Sequence, residues 1–539
     1  MKVSEFNYDI VKNPEIFQEN RLPAHSDHEF YRFEETEDGV SDFKYSLNGV
    51  WKFAYAKNYQ SSIKGFEALD YDSRSWDTIR VPAHINMEGY GNPAYVNTQY
   101  PWDGKEVVAP GEIPTVFNPV GNYVKYFTLP KDLKTGPVYI HFDGVESGMA
   151  LWCNGKYVGY SEDSFTPSEF DLTEFVNREG ENKLAVSVFR FTAGSWCEDQ
   201  DFFRFFGIYR DVYLFTTPKV HVSDMRIKTL LDDEYKDATL ELDLKTTAEG
   251  RVRYYLSDGD EDILAGEEKF DTNSHFSFPV KEPKLWSAEH PNLYELRLEI
   301  TDVAGFLQEV IVEQVGFRRF EMINNIMCIN GKRIVFRGVN RHEFSSENGR
   351  CVTDDEIYTD IVTMKQNNIN AIRTSHYPNR TLLYRLCDIY GIYLIDETNL
   401  ETHGVWDAII RGLADISYSV PGDRPEYQKL VLDRARSMFE RDKNHPSILI
   451  WSCGNESYGG IDIQKMHDAF HEWDDTRLVH YEGIHNDRRY PESTDMESSM
   501  YIPTDEIKEW LKEHPNATLE EAWLSGYWQC TDNWCKSKR

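Results

Sequence analysis

Residues 371–395 read Ala371-Ile-Arg-Thr-Ser-His-Tyr-Pro-Asn-Arg-Thr-Leu-Leu-Tyr-Arg-Leu-Cys-Asp-Ile-Tyr-Gly-Ile-Tyr-Leu-Ile395. The runs Ala371–Arg373 and Ile392–Ile395 are candidate strands, and the amphipathic segment Thr381–Tyr390 between them is a candidate helix. Alternation of strand and helix at this spacing implies parallel strands. The stretch therefore predicts part of a (β/α)₈ barrel, for which such units are the building blocks.

The same alternation extends in both directions, over residues 318–515. Further candidate strands are Ile334–Val339, Ile448–Trp451, Leu478–Tyr481 and, more weakly, Met496–Tyr501, and further candidate helices are Asp354–Gln366, Pro425–Arg441 and Ile463–Trp473. These give the first six strands of an incomplete (β/α)₈ TIM barrel.

Upstream of the barrel, the sequence has the pattern of all-β structure. Residues 1–217 combine short strands, Asn-Gly turns and long Pro- and Gly-containing loops, which predicts a jelly-roll β-sandwich. In residues 218–317 strands recur at shorter, more even intervals, which predicts an immunoglobulin-like β-sandwich. The candidate strands there are Ala238–Leu244, Val252–Leu256, His275–Val280, Leu293–Ile300 and Glu309–Val315. Residues 516–539 form an atypical tail.

The composition of the chain argues against several classes of protein, among them nucleic-acid-binding, membrane and secreted proteins. The 539 residues carry a formal net charge of -33, which disfavours binding to nucleic acid or to anionic membranes. No apolar stretch approaches the ~18 residues of a membrane span, and the start of the sequence lacks the apolar core of a signal peptide. The eight cysteines show no CxxC spacing, as expected of free thiols in a reducing compartment. We therefore expect a cytoplasmic protein with a neutral substrate.

Polar residues follow the candidate barrel strands where catalytic groups gather in this fold. Glu456 follows the apolar run Ile448–Trp451, and burial against such walls would raise its pKa towards general-acid function. It could equally cap the next helix. Glu401 and His403 stand two residues apart and would point to one side of an extended chain, as metal ligands do. His342 and His376, taken singly, fit hydrogen-bonded loop histidines as well as site residues.

Taken together, several motifs resemble the β-galactosidases of glycoside hydrolase family 2 over about residues 20–515. They are Tyr95-Val-Asn-Thr-Gln-Tyr-Pro101, Asn118-Pro-Val-Gly-Asn-Tyr123, Pro167-Ser-Glu-Phe-Asp171, Glu198-Asp-Gln-Asp201, Gly207-Ile-Tyr-Arg-Asp211, Gly338-Val-Asn-Arg-His342, Ser375-His-Tyr-Pro-Asn379, Glu401-Thr-His-Gly404 and Gly454-Asn-Glu-Ser457. The resemblance implies retaining hydrolysis of terminal β-D-galactosides such as lactose.

The resemblance also implies roles for single residues. Glu456 matches the acid/base catalyst, and Glu401, His403 and Glu456 match the ligands of Mg²⁺. Asp201 matches a galactose contact that also binds Na⁺. The remaining sugar-site residues implied are Asn97, His342, His376, Asn455 and Tyr501.

The resemblance stops where the catalytic nucleophile is expected. In the family a second carboxylate, about 5 Å from the acid/base, follows an apolar seventh strand, and no such strand precedes a Glu after His514-Pro515. Glu520 and Glu521 have a helical, surface pattern, and we expect neither to be the nucleophile. We therefore expect a chain that ends before the nucleophile strand, through a frame shift or gene truncation.

Three interpretations remain open. The chain is a β-galactosidase by descent that is inactive alone, a galactoside-binding or assembly subunit whose nucleophile comes from a complementing C-terminal chain, or a non-catalytic carbohydrate-binding remnant. The resemblance also implies a homo-oligomer for the full-length family.

Overall fold

The computed structural model describes residues 3–33 and 41–496, and beyond them residues 498, 503, 505, 508, 509 and 512. The predicted order of jelly roll, immunoglobulin-like sandwich and parallel β/α domain is confirmed. Of the predicted sixth barrel strand, Met496–Tyr501, only Met496 and Ser498 are among the described residues, and the tail 516–539 lies outside them.

The first domain is a sandwich of a seven-stranded and a four-stranded antiparallel sheet, in the orders β1-β11-β10-β13-β7-β4-β5 and β12-β8-β17-β3. Its core is formed by apolar side chains from both sheets, among them Trp51, Leu151, Ile140 and Leu214. The strands are β1 (Gln18–Glu19), β2 (Phe30–Tyr31), β3 (Lys44–Ser46), β4 (Gly49–Ala56), β5 (Asp77–Val81), β6 (Ala94–Val96), β7 (Val120–Thr128), β8 (Tyr139–Phe142), β9 (Val145–Glu146), β10 (Gly148–Cys153), β11 (Lys156–Glu162), β12 (Ser168–Asp171), β13 (Glu181–Phe189), β14 (Glu198–Asp199), β15 (Phe202–Arg204), β16 (Gly207–Ile208) and β17 (Val212–Phe215).

The second domain packs the sheet β18-β19-β22 against the sheet β2-β24-β23-β20-β21, so strand β2 from the N-terminal segment completes it. Its own strands are β18 (Val222–Leu231), β19 (Ala238–Thr246), β20 (Gly250–Asp258), β21 (Glu261–Phe270), β22 (Asn273–Val280), β23 (Tyr294–Asp302) and β24 (Leu307–Val315). Sequence analysis missed β18 and β21. Strand β21 lies at a sheet edge and is mostly exposed, so it lacks the alternation of apolar residues that marks a half-buried strand.

A small antiparallel sheet, β25 (Phe320–Ile323), β26 (Ile326–Ile329) and β27 (Lys332–Arg333), leads into the third domain. There the strands β28 (Gly338–Arg341), β29 (Ala371–Thr374), β30 (Tyr393–Glu397), β32 (Ile448–Ser452) and β33 (Leu478–His480) form one parallel sheet in chain order. The short strand β31 (Glu401–Thr402) stands apart from it. The helices are α1 (Asp354–Gln366), α2 (Thr381–Tyr390), α3 (His403–Ile410), α4 (Pro425–Asp442) and α5 (Ile461–Trp473).

The first barrel strand departs from the prediction Ile334–Val339 and begins four residues later, at Gly338. The Asn370 side chain explains the difference, because its amide nitrogen donates to the Val335 carbonyl at 2.9 Å and its oxygen accepts from the Arg337 N–H at 2.7 Å. An asparagine side chain thus takes the place of a neighbouring strand over this segment.

Short 3₁₀ helices complete the fold, at Tyr8–Lys12, Tyr59–Ser61, Lys131–Leu133, Ala193–Cys197, Ile416–Tyr418 and Glu482–His485. The barrel core continues into the jelly roll, because Tyr100, Trp102 and Trp196 pack in one cluster with barrel residues such as Trp451. No helix within the described ranges has the length and apolar character of a membrane span. Six cysteines are free thiols, at positions 153, 197, 328, 351, 387 and 453; Cys530 and Cys535 lie outside the described residues.

Candidate active site

The candidate site lies where the parallel barrel strands end. Because strands β28, β29, β30, β32 and β33 run in the same direction, the residues that follow them meet at one edge of the sheet. His342 follows β28, His376 follows β29, Glu401 and His403 follow β30, and Glu456 follows β32. The sequence-predicted site residues of the barrel therefore share one edge of the fold.

Glu401, His403 and Glu456 come closest together. One ligand atom from each lies within 4.8 Å of the others. His403 Nδ1 is 3.6 Å from Glu401 Oε1 and 3.1 Å from Glu456 Oε2. Glu401 is fully buried, and its Oε2 atom has no hydrogen-bond partner among the described residues. Two carboxylates and an imidazole at these distances form a ligand set for a divalent cation.

The surroundings of Glu456 favour its protonated form. Burial and the charge of Glu401 raise the pKa of the Glu456 carboxyl to about 7. For His403, burial alone would lower the pKa, but the contacts with Glu401 and Glu456 raise it to about 9. Glu456 thus has a pKa in the range that suits proton donation near neutral pH.

Glu397, the last residue of β30, holds neighbouring side chains of the site in place. Its Oε1 atom lies 2.7 Å from His376 Nδ1, and its Oε2 atom accepts from Arg373 Nε at 2.7 Å and from the Ser452 hydroxyl at 2.6 Å. Full burial would raise the pKa of Glu397, but Arg373 and His376 together lower it to about 2. Glu397 is therefore an ionised residue that positions His376 and Arg373.

Asn455 is held by the same network. Arg373 Nη2 donates to Asn455 Oδ1 at 2.9 Å, and the Asn455 N–H donates to the Leu400 carbonyl at 2.9 Å. Gly454, just before it, has φ +142°, and a Cβ there would lie 2.6 Å from the Leu400 carbonyl oxygen. The turn that presents Asn455 and Glu456 therefore requires glycine.

The jelly roll reaches directly into this site. Its strand β14 pairs in parallel with β31, Glu198 opposite Glu401 and Asp199 opposite Thr402. The Asp201 N–H donates to Glu401 Oε1 at 3.2 Å, and Asp199 Oδ2 accepts from the Gly404 N–H at 2.8 Å. Contacts from the jelly roll thus hold Glu401 and the backbone next to His403 in place.

Asn97 and Asp201 come together through strand pairing within the jelly roll. Strands β6 and β15 are antiparallel with Val96 opposite Phe202, so the next positions outward are Asn97 and Asp201. The Tyr95 hydroxyl donates to Asp201 Oδ1. Asn97 is exposed, which leaves its amide accessible beside the Asp201 carboxylate.

His342 is fixed by aromatic neighbours rather than by carboxylates. Its ring stacks on Phe202 at 4.2 Å between centroids with an angle of 12° between the planes, and its Nδ1 atom is 3.2 Å from the Tyr377 hydroxyl. The His376 ring stands edge-on to it at 5.5 Å. Burial and the neighbouring His376 lower the pKa of His342 to about 3, which keeps the imidazole neutral.

Sequence analysis overlooked Glu482. It follows β33 and is buried with its Oε1 atom lacking a hydrogen-bond partner, and burial and Glu456 raise its pKa to about 8. The rule that found Glu401 and Glu456, a polar residue just past a strand, also applies to Glu482. The roles of Glu397 and Arg373 were not recognised either, since neither residue's partners are adjacent in sequence.

The predicted sugar contact Tyr501 lies outside the described residues, as do Glu520 and Glu521.

Comparison with protein families matches three consecutive models of the glycosyl hydrolases family 2. The sugar binding domain matches residues 44–218, a further family 2 domain matches residues 220–318, and the TIM barrel domain matches residues 320–524. The barrel match extends past residue 515, where sequence analysis placed the start of an atypical tail.

Among curated relatives, the β-galactosidase large subunit of Lactobacillus acidophilus is 42% identical over 96% of this chain and 85% of its own length. The chain belongs to glycosyl hydrolase family 2. The resemblance inferred from the motifs is thus confirmed. The β-galactosidase of Halalkalibacterium halodurans is 50% identical over 94% of this chain but only 51% of its own length. The chain spans about half the length of the longer curated relatives it matches.

Solved structures agree on the fold. A Bacteroides uniformis β-glucuronidase matches with a TM-score of 0.71 at 23% identity, over 88% of this chain and 57% of that protein. At this identity the match supports the family 2 architecture and not the substrate.

Proposed function

We propose that this family 2 chain supplies the acid/base side of a retaining β-galactosidase, which hydrolyses terminal non-reducing β-D-galactosides such as lactose. The observation that carries the proposal is the cluster of Glu401, His403 and Glu456 at the ends of the barrel strands, with the pKa of Glu456 raised to about 7. The curated relatives, which are named β-galactosidases and are 41–50% identical to this chain, support a galactoside as the substrate.

In the proposed reaction, protonated Glu456 donates its proton to the glycosidic oxygen as the bond from that oxygen to the anomeric carbon breaks. A carboxylate nucleophile bonds to the same carbon and forms a glycosyl ester. The Glu456 carboxylate then takes a proton from water, whose oxygen attacks the anomeric carbon and releases the nucleophile. Glu456 is thereby returned to its protonated form.

We propose that Glu401, His403 and Glu456 hold Mg²⁺. The buried Glu401 Oε2 atom, which has no hydrogen-bond partner among the described residues, supports this, because buried polar atoms without partners are rare unless a ligand completes them. Magnesium, when bound, supplies positive charge that orients the two carboxylates and lowers the pKa of Glu456.

We assign the galactose hydroxyls to Asn97, Asp201, His342, His376, Asn455 and Tyr501, and Na⁺ to Asp201. The proximity of Asn97 to Asp201 and of His342 to His376 supports one shared sugar site. Asp201 offers a single carboxylate whose Oδ1 atom already accepts from Tyr95, so Na⁺ there requires further ligands beyond this residue.

We propose that the nucleophile lies outside the described residues, either later in this chain or on a second chain. Glu482 is a poor candidate, since a carboxyl with its pKa raised to about 8 is protonated at neutral pH. Glu397 is ionised but is engaged by Arg373, His376 and Ser452.

Two observations favour completion by a second chain. Among the described strands, β28 ends the parallel sheet with three of its four residues exposed or half-exposed, so this edge is open to another strand. Three relatives are named as β-galactosidase large subunits, and this chain covers 84–85% of each. On this basis we propose a galactoside-binding and assembly role for the chain.

We also propose that the chain functions in the cytoplasm, where the six free thiols would stay reduced. Self-association into a homo-oligomer also remains a prediction.

The experiment is hydrolysis of nitrophenyl β-D-galactoside with Mg²⁺, combined with calorimetric binding of a galactose-configured iminosugar. Glu456→Gln is compared with Glu282→Gln, an exposed Glu in the immunoglobulin-like domain. Hydrolysis by the chain alone, abolished only in Glu456→Gln, would mean that the nucleophile lies in its own C-terminal residues.

Iminosugar binding without hydrolysis would support the subunit role. Hydrolysis should then appear when a family 2 small subunit is added. Absence of both binding and hydrolysis, with and without the added chain, would contradict the proposed function.

A further inference from the structure

A second group of possible metal ligands lies on the outside of the barrel. His467 and His471 stand one turn apart on α5, and Asp495 lies beyond β33. One ligand atom from each residue lies within 4.8 Å of the others. We propose that His467, His471 and Asp495 form a site for a divalent transition metal, with Zn²⁺ as the reference ion.

The spacing of the histidines supports the site. Residues four apart on a helix point to the same face, so both imidazoles can bind one ion. His467 Nε2 is 3.2 Å from Asp495 Oδ1, and His471 Nε2 is 2.8 Å from Asp495 Oδ2. Ligands at zinc distances on a tetrahedral ion are about 3.3 Å apart. Small side-chain shifts would therefore admit the ion.

The ligands are oriented by the surrounding chain. Asp495 Oδ2 accepts from the Val479 N–H at 2.7 Å, and the Asp495 N–H donates to the Val479 carbonyl at 2.8 Å. The ring of His467 lies 4.7 Å from that of His471. Ligands held in this way bind metals more tightly than mobile ones.

Access to the site is one-sided. The side chains of His467 and Asp495 are 1% and 4% exposed, whereas that of His471 is 30% exposed. An ion can therefore enter beside His471 and keep one coordination position open to water.

The donor chemistry separates this site from the barrel cluster. Two imidazoles and one carboxylate favour Zn²⁺, Co²⁺ or Ni²⁺, whereas the two carboxylates and one imidazole of Glu401, His403 and Glu456 suit Mg²⁺ better. Occupancy would tie α5 to the segment that follows β33, which the Asp495–Val479 hydrogen bonds already hold against that strand.

The test is equilibrium dialysis against Zn²⁺ in excess Mg²⁺, with the visible absorption of bound Co²⁺ as a second measurement. His471→Ala is the main variant, since its half-exposed position makes misfolding a small concern. Asp495→Asn is a second variant, because it keeps the shape of the side chain and removes its charge. His275→Ala is the matched control, since His275 Nδ1 also lies 2.7 Å from an aspartate, Asp243, but has no second histidine.

We expect one zinc ion per chain in the unaltered protein and in His275→Ala. We expect at least a tenfold weaker affinity, and loss of the Co²⁺ absorption, in both His471→Ala and Asp495→Asn. Equal zinc affinity and stoichiometry in the unaltered protein and His471→Ala would overturn the proposal. So would the absence of bound zinc and cobalt in the unaltered protein.

Discussion

The chemistry of single residues in this protein is set by what surrounds them. Glu456, Glu482 and Glu397 are all glutamates just at or past a barrel strand, yet their pKa values are about 7, about 8 and about 2. The difference comes from the partners, because Glu397 faces Arg373 and His376 whereas Glu482 faces other carboxylates. The charge state of a glutamate at this edge of the barrel is therefore set by the charged groups around it, and not by its residue type alone.

Replacement of Glu482 by Gln tests its protonation. Burial raises the pKa of Glu482 to about 8, so its neutral form persists in the folded chain while the unfolded chain ionises above pH 4.5. The contribution of neutral Glu482 to the free energy of unfolding is therefore lost as pH rises from 4.5 towards 8. Gln does not titrate, so Glu482→Gln removes this dependence on pH. We expect the stability of Glu482→Gln relative to the unaltered chain to increase by about 1–4 kcal/mol between pH 5 and pH 8.

Urea denaturation at the two pH values, in the presence of a metal chelator, measures this change. A relative stability that does not vary with pH would mean that Glu482 is ionised in the folded chain.

His445 lies between two buried aspartates. His445 Nδ1 is 2.5 Å from Asp388 and Nε2 is 3.5 Å from Asp27. Burial alone would lower its pKa, but the two carboxylates raise it well above the usual value. We expect His445→Gln to lower the free energy of unfolding by about 3–5 kcal/mol near pH 6, since two buried carboxylates lose the positive charge that lies between them.

The pH dependence has a definite sign. The stabilisation from charged His445 is fully present below pH 6.5 and declines as pH rises towards the raised pKa, so the effect of His445→Gln should shrink between pH 6 and pH 9. Chemical denaturation of both proteins measures it. His275→Gln, in an exposed pair with Asp243, should cost less than about 1 kcal/mol. Equal costs for the two variants would argue against a buried charge at His445.

At the scale of elements, short strands and turns hold the residues of the candidate active site in position. The two-residue pairing of β14 with β31 joins domains whose paired residues are about 200 positions apart in the chain, for example Glu198 and Glu401. The turn after β32 depends on one glycine. The position of the candidate ligands thus depends on elements too short to be recognised by periodicity.

Gly454→Ala tests the turn. A Cβ at Gly454 would lie 2.6 Å from the Leu400 carbonyl oxygen, so the turn must move and carry Asn455 and Glu456 with it. We expect the affinity for Mn²⁺, used as a probe of the proposed Mg²⁺ site, to fall at least tenfold. Gly412→Ala is the control, because Gly412 also has a positive φ, +69°, but no atom within 4 Å of its added Cβ.

We expect Gly412→Ala to cost about 1 kcal/mol of stability and to leave Mn²⁺ affinity unchanged. Manganese titration followed by electron paramagnetic resonance measures both variants. Unchanged binding in Gly454→Ala would show that the turn tolerates a side chain.

At the scale of the whole molecule, the segment of residues 18–31 connects all three domains. Strand β1 pairs with β11 of the jelly roll and β2 pairs with β24 of the immunoglobulin-like sandwich. Arg21 Nη2 donates to both carboxylate oxygens of Asp433 on α4, at 2.7 and 2.8 Å. The segment therefore links the stability of the domains to one another.

Deletion of residues 1–31 should uncouple the domains. We expect more than one thermal transition, and a lower first transition than in the unaltered chain, because the pairings of β1 and β2 and the Arg21 contact are lost together. Differential scanning calorimetry measures this, with deletion of residues 1–5 as the control. A single transition at an unchanged temperature would show that the domains are coupled by other contacts.

The sequence by itself determined the elements and their order. Helices Asp354–Gln366 and Thr381–Tyr390 have the predicted bounds, because their apolar periodicity and end signals are local. Polar residues past the strands also indicated Glu401, His403 and Glu456, since parallel strands place such residues at one edge.

Only the tertiary structure decided which of these residues touch, and in what charge state. The pairing of β14 with β31 and the addition of β2 to a distant sheet both join segments far apart in the chain. The raised pKa of Glu482 likewise depends on its burial and on Glu456. The physical reason is that the apolar periodicity and end signals that define a helix or strand are encoded over a few residues. Burial and electrostatic neighbours, in contrast, are sums over the whole folded chain.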